Sequence, residues 1–189
     1  MLRDDLIAVD EAMLHGVCSA FWAIRKVRYD ATKLTKILSD GRPSVYSIGD
    51  TEAEKEFMED LADFPWLGVL AEEAGQIRRC TRQDGHDVYV VLDSLDGSEN
   101  YLCDDGLPVT VMAALVCDGK IVASYVVDTN SFNIVGYGVQ SPDVFLWREG
   151  DLSAPASNLS AKPRAAILAE SKFCCAASPK TTAHNGRPC

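Results

Sequence analysis

Residues 90–100, Val-Val-Leu-Asp-Ser-Leu-Asp-Gly-Ser-Glu-Asn, constrain the fold of this chain more than any other stretch. An apolar run, Val90-Val91-Leu92, ends in two carboxylates, Asp93 and Asp96, followed by Gly97 and the hydroxyl of Ser98. A buried strand that stops at Asp93 holds both acids at its carboxyl end, where open α/β sheets bind ligands. Gly97 permits a tight turn or a close backbone approach, and Ser98 can open a helix whose free N–H groups favour an anion. Carboxylates beside such an anion hole point to a hard cation that bridges protein and phosphate.

The 189 residues suffice for one sizeable domain, or one domain plus a tail, with a real core. A formal charge of −10 argues against nucleic acid as the main partner, because phosphate backbones need Lys and Arg to neutralise them. The same charge repels a phosphorylated substrate, so a bound divalent metal has to reverse the local field. The N-terminus is amphipathic, not uniformly apolar, and shows neither a signal peptide nor a membrane span. The seven cysteines are scattered and include no Cys-x-x-Cys pair, a pattern of reduced thiols in a cytoplasm. His15, His86 and His184 share no ligand spacing, which argues against a His-based zinc site.

Apolar residues from Leu6 to Ile24 recur at helical spacing, so an amphipathic helix is predicted over residues 4–28. Residues 33–49 read as irregular, with a turn signal at Asp40-Gly41-Arg42-Pro43. A second helix is predicted over 50–63, ended by Pro65. Strands are expected at 67–71, 87–92, 109–117, 120–127, 132–137 and 144–147, with Asp118-Gly119 as a two-residue hairpin turn. Two helices followed by a largely β block predict an α+β layered fold for residues 1–150. Residues 151–189 read as a Ser/Ala/Pro-rich linker, a strand at 165–169 and a disordered tail.

Each acidic element has a simple reading of its own. Asp93 and Asp96 suit a turn at a strand end, Glu72-Glu73 a solvated loop, and Asp50 a helix N-cap. Together, however, Asp50-Thr51-Glu52-Ala53-Glu54 on a helix, Glu72-Glu73 after a strand and Asp93-Ser94-Leu95-Asp96-Gly97-Ser98-Glu99-Asn100 after the next strand make a specific series. The series resembles the inositol monophosphatase family, the lithium-sensitive, magnesium-dependent phosphatases related to fructose-1,6-bisphosphatase. The resemblance spans roughly residues 5–150 and includes Gly106-Leu107-Pro108-Val109.

The resemblance implies a layered α/β sugar-phosphatase fold, of which this chain holds the N-terminal portion: helices packed on a mostly antiparallel sheet, ending before a second α/β layer. It implies that Glu72, Asp93 and the Leu95 carbonyl hold a first Mg2+, and that Asp93 bridges to a second held also by Asp96. The amides of Gly97 and Ser98 take the substrate phosphate, and the Ser98 hydroxyl, paired with Asp50, activates the attacking water. Magnesium takes oxygen ligands and keeps waters that can become nucleophiles, and two ions about 4 Å apart clamp an in-line displacement. A shifted register would give Glu54 the role of Asp50; Asp50 is preferred because Ala53-Glu54 then falls where the family has Ala-Glu.

The sequence departs from the family pattern at two kinds of place. Ser94 stands where the family has Pro, which loosens the backbone step between the two acids, and Ser98 replaces Thr with the hydroxyl kept. The family's second layer, with another Asp for the second metal and most specificity contacts, has no counterpart after Lys162. The chain therefore reads as a truncated or misread product, or as a short member that covers its exposed face by forming a homodimer or binding a partner. The implied function is a magnesium-dependent phosphomonoesterase acting on a small sugar or inositol phosphate, with fructose-1,6-bisphosphate and 3′-phosphoadenosine phosphate as competing substrates. The alternative is a catalytically weak or inactive metal-binding module with an association role. Neither reading involves nucleic acid or a membrane.

Overall fold

A computed structural model describes residues 2–28, 33–37, 43–72, 75–103, 106–153, 155 and 157–159. The predicted strand at 165–169, the tail, Glu73 and the turn signal at residues 40–42 lie outside the described residues. In chain order the elements are α1 (Leu2–Val27), β1 (Lys33–Ile37), β2 (Pro43–Ser47), α2 (Ile48–Asp60), β3 (Gly68–Ala71), β4 (Gly75–Arg78), β5 (Val88–Asp96), α3 (Ser98–Cys103), β6 (Thr110–Cys117), β7 (Lys120–Asp128), β8 (Asn133–Gly138), β9 (Ser141–Trp147) and β10 (Ser157–Asn158).

The fold is α+β, as expected. An eight-stranded sheet in the order β10-β9-β8-β7-β6-β5-β3-β4 carries α1 and α2 on one face. Only β3 and β5 run parallel; every other neighbouring pair is antiparallel. Val88, Val90 and Leu92 alternate inward along β5 and meet Val9, Met13, Val17 and Phe57 from the two helices in one core. The helices approach closely: a Cβ on Gly16 of α1 would stand 2.9 Å from the Phe57 ring of α2. Leu70 and Val91, opposite each other on β3 and β5, are exposed, and mark the sheet face that the helices leave uncovered. By length and composition α1 could cross a bilayer, yet half of its apolar window is buried in this core.

The structure differs from the sequence reading in several places. Residues 33–49 are not irregular: β1 and β2 form a separate antiparallel pair that leads directly into α2. These are short strands whose described residues, apart from the buried Ser47, are exposed or half-buried, so no apolar run announces them. β4 was unforeseen. β5 does not stop at Asp93 but runs to Asp96, because pairing with β6 resumes there opposite Thr110. Within the expected linker, Ser157–Asn158 adds an edge strand to β9, and Leu159 is buried. Cys18, Cys80 and Cys117 are free thiols, whereas Cys103 is disulfide-bonded, against the expectation of reduced thiols throughout.

Candidate active site

Residues three apart on an unbroken strand face opposite sides of the sheet, so Asp93 and Asp96 should diverge. A β-bulge prevents this. Asp93 pairs with Met112 and Asp96 with Thr110, so β5 spends three steps where β6 spends two. The extra residue restores Asp96 to the face that Asp93 occupies. The Thr110 hydroxyl lies 3.4 Å from Oδ2 of Asp96.

The parallel pairing of β3 and β5 supplies the third carboxylate. Its register, ending at Ala71↔Leu92, continues with the Glu72 N–H donating to the Leu92 carbonyl at 3.1 Å, which sets Glu72 beside Asp93. The two side chains share a hydrogen bond, and burial, the Glu72 charge and that bond, then the Asp96 charge, push the Asp93 carboxyl up to about 7. Only the Leu95 N–H, 3.3 Å from Oδ1 of Asp93, pulls in the other direction. Carboxyl groups this close hold a proton between them unless a cation replaces it. The donors are all oxygens, the set a hard divalent cation prefers, so Glu72, Asp93, Asp96 and the Leu95 carbonyl fit magnesium chemically.

A cleft of about 410 Å3 opens beside them, lined by Glu72, Leu95, Asp96, Gly97, Ser98 and Asn100 among others. Gly97 makes the turn from β5 into α3 with φ 91°, and a Cβ there would stand 3.0 Å from the Pro108 carbonyl. Asn100 braces the turn by donating from Nδ2 to that carbonyl at 3.1 Å.

Asp50 lies buried behind the cleft on the helix side and meets its wall through Ser98. It is not the N-cap of α2: Ser47 is, and Asp50 sits three residues further in, completing a capping box. Its buried carboxylate accepts from the Ser47 N–H and hydroxyl, each at 2.7 Å, through Oδ2. Oδ1 accepts from the Ser98 hydroxyl at 2.7 Å, which also lies 3.1 Å from the Leu95 carbonyl. Glu54, the alternative, is one turn further along α2; the Ser98 partner is Asp50.

Ser47 went unnoticed in the sequence, and Ser94 was noted there only as a loosened backbone step. Ser47 was signalled by the Ser-x-x-Asp spacing of a capping box, which the turn-like neighbourhood hid. Ser94 is buried and donates from its hydroxyl to the Asp50 carbonyl at 3.0 Å, a tether from the bulge to α2 that proline could not make. No single spacing in the sequence signals that contact.

No protein-family model matches the chain, and no curated protein matches it in sequence. Solved structures do. Extragenic suppressor protein suhB from Bartonella henselae matches with a TM-score of 0.61 at 24% identity, over 74% of this chain and 52% of its own. The inositol monophosphatase from Anabaena (Nostoc) matches with a TM-score of 0.57 at 17% identity, over 75% of this chain and 48% of its own. The chain has the inositol monophosphatase fold. An IMPase/NADP phosphatase solved with Mg2+ and phosphate gives a TM-score of 0.58 at 20% identity, over 75% of this chain and 51% of that one. The chain thus spans about half the length of the inositol monophosphatase-fold structures that it matches.

Proposed function

We propose that this chain carries the metal- and phosphate-binding part of a magnesium-dependent phosphomonoesterase that hydrolyses a small sugar or inositol phosphate. The observation that carries the reading is the convergence of Glu72, Asp93 and Asp96 beside a cleft whose wall includes Ser98, itself bonded to the buried Asp50. The shared fold supports it, as does the Mg2+ and phosphate complex of one structural neighbour.

In this reading Glu72, Asp93, Asp96 and the Leu95 carbonyl hold magnesium, which when bound supplies charge neutralisation and a polarised water. The Gly97 and Ser98 amides receive the phosphate at the rim of the cleft. Asp50, held by the Ser47 donors, keeps the Ser98 hydroxyl donating toward it, so that a Ser98 lone pair is free to accept a hydrogen bond from a water, whose proton passes to Ser98 as the Ser98 proton passes to Asp50. Attack of that water on phosphorus breaks the ester P–O bond and releases an alcohol and inorganic phosphate. Phosphoryl transfer asks mainly for positioning and charge neutralisation, so no covalent nucleophile is needed.

Phosphate release from inositol-1-phosphate, fructose-1,6-bisphosphate and 3′-phosphoadenosine phosphate, with and without Mg2+, tests the proposal. Magnesium-dependent, lithium-inhibited turnover supports the enzyme. Calorimetric Mg2+ binding without release on any of the three points to the metal-binding module, and no Mg2+ binding refutes both.

A further inference from the structure

We propose that His86, Cys117 and Asp118 form a second metal site, for a borderline-soft divalent cation of the zinc class, independent of the carboxylate cleft. Their candidate ligand atoms (an imidazole nitrogen, a thiol sulfur and a carboxylate oxygen) all lie within 4.8 Å of one another. Sequence spacing hid this, since His86 precedes β5 while Cys117 ends β6 and Asp118 starts the turn to β7.

The backbone builds the cluster. Val88 pairs with Cys117, so the start of β5 lies against the end of β6. The Asp118 N–H donates to the Asp87 carbonyl at 2.8 Å, and the Asp87 N–H donates to Oδ1 of Asp118 at 3.0 Å. Positive φ at Asp118 (50°) and Gly119 (74°) makes the tight hairpin turn, and the Asp118 carboxylate folds back to lie 2.8 Å from Nδ1 of His86.

The donor chemistry selects the ion. One nitrogen, one sulfur and one oxygen are ligand types that zinc accepts, with a water left for the fourth position, whereas magnesium avoids sulfur. Zinc bond lengths imply ligand separations of about 3.3–3.8 Å, which side-chain rotation of about 1 Å would supply. A thiolate, a carboxylate and a neutral imidazole together balance a dication. Burial, and then the Asp118 charge, push the Cys117 thiol up, so an ion has to displace its proton on binding; Arg82, whose charge acts the other way, is committed to Asp5 and Asp84. His86 and Asp118 are 39% and 50% exposed, so an ion has access.

The test is titration of Co2+, with zinc as competitor, into the full chain with its thiols reduced and Mg2+ in excess to occupy any oxygen-only site. One equivalent should produce a thiolate-to-cobalt charge-transfer band in the near ultraviolet, displaced by Zn2+. The Cys117→Ser variant should lose the band, Cys80→Ser should keep it, and His86→Ala should weaken Co2+ binding by about tenfold or more. His86 is half-exposed, so its variant tests the site without disturbing the core. Absence of the band in the unaltered chain, or its survival in Cys117→Ser, overturns the proposal. Magnesium binding and phosphate release do not enter these readouts, so failure here leaves the phosphatase reading untouched, and the reverse holds too.

Discussion

The Ser98 hydroxyl lies 2.7 Å from Oδ1 of Asp50, across 48 residues of sequence. The contact joins the start of α3 to the first turn of α2, and the Ser94 hydroxyl bonded to the Asp50 carbonyl braces it from β5. Both hydroxyls converge on one buried residue, so the junction of α2, β5 and α3 is fixed by polar contacts as well as by packing.

Ser98→Ala removes the hydroxyl and leaves the carboxylates in place. Under the proposed mechanism phosphate release falls by about 100-fold or more, while calorimetric Mg2+ affinity stays within about threefold. A fall in affinity matching the fall in rate would show that Ser98 serves the metal and not the water.

Asp93→Asn acts in two opposite directions. It relieves the burial cost and the repulsion from Glu72 and Asp96, so the metal-free protein melts at the same temperature or higher. It also removes the central metal ligand, so the thermal stabilisation that Mg2+ gives the parent chain vanishes together with turnover. Melting curves with and without Mg2+ read both effects.

The stability of the metal-free chain depends on pH through the same carboxyl. Its folded value of about 7 lies above the ordinary aspartate value of 3.8, so between the two the folded state binds more protons than the unfolded state. The contribution is therefore fully present below about pH 4 and is lost as pH rises through about 7. Allowing for solvent screening, the loss is on the order of 1–2 kcal/mol. Urea midpoints at about pH 5 and about pH 8 should differ more in the parent chain than in Asp93→Asn, and saturating Mg2+ should shrink the difference.

Gly97→Ala places a methyl group 3.0 Å from the Pro108 carbonyl at a backbone φ of 91°. We expect a loss of about 1–3 kcal/mol in chemical denaturation. Phosphate binding should weaken as well, because the turn that presents the Gly97 and Ser98 amides shifts.

Much of this molecule could be read locally. The 3.6-residue period of α1, the apolar run of β5, the Asp118-Gly119 hairpin and the Gly97-Ser98 start of α3 are all encoded by neighbouring residues. The cap of α2 is encoded equally locally, in the three-residue spacing of Ser47 and Asp50. The β1–β2 pair was not legible, because short strands with little burial carry no strong period.

Sequence alone determined which chemical groups stand at the end of β5, since residue identity and short-range spacing are local properties. Tertiary structure decided which of them meet. The bulge opposite Met112 and Thr110 turns Asp96 to the side of Asp93, and the parallel register of β3 sets Glu72 beside them. Helix packing brings Asp50 to Ser98, and the β5–β6 pairing brings His86 to Cys117 and Asp118. Register and packing follow from burying the whole core at once, a condition that no short window of sequence contains.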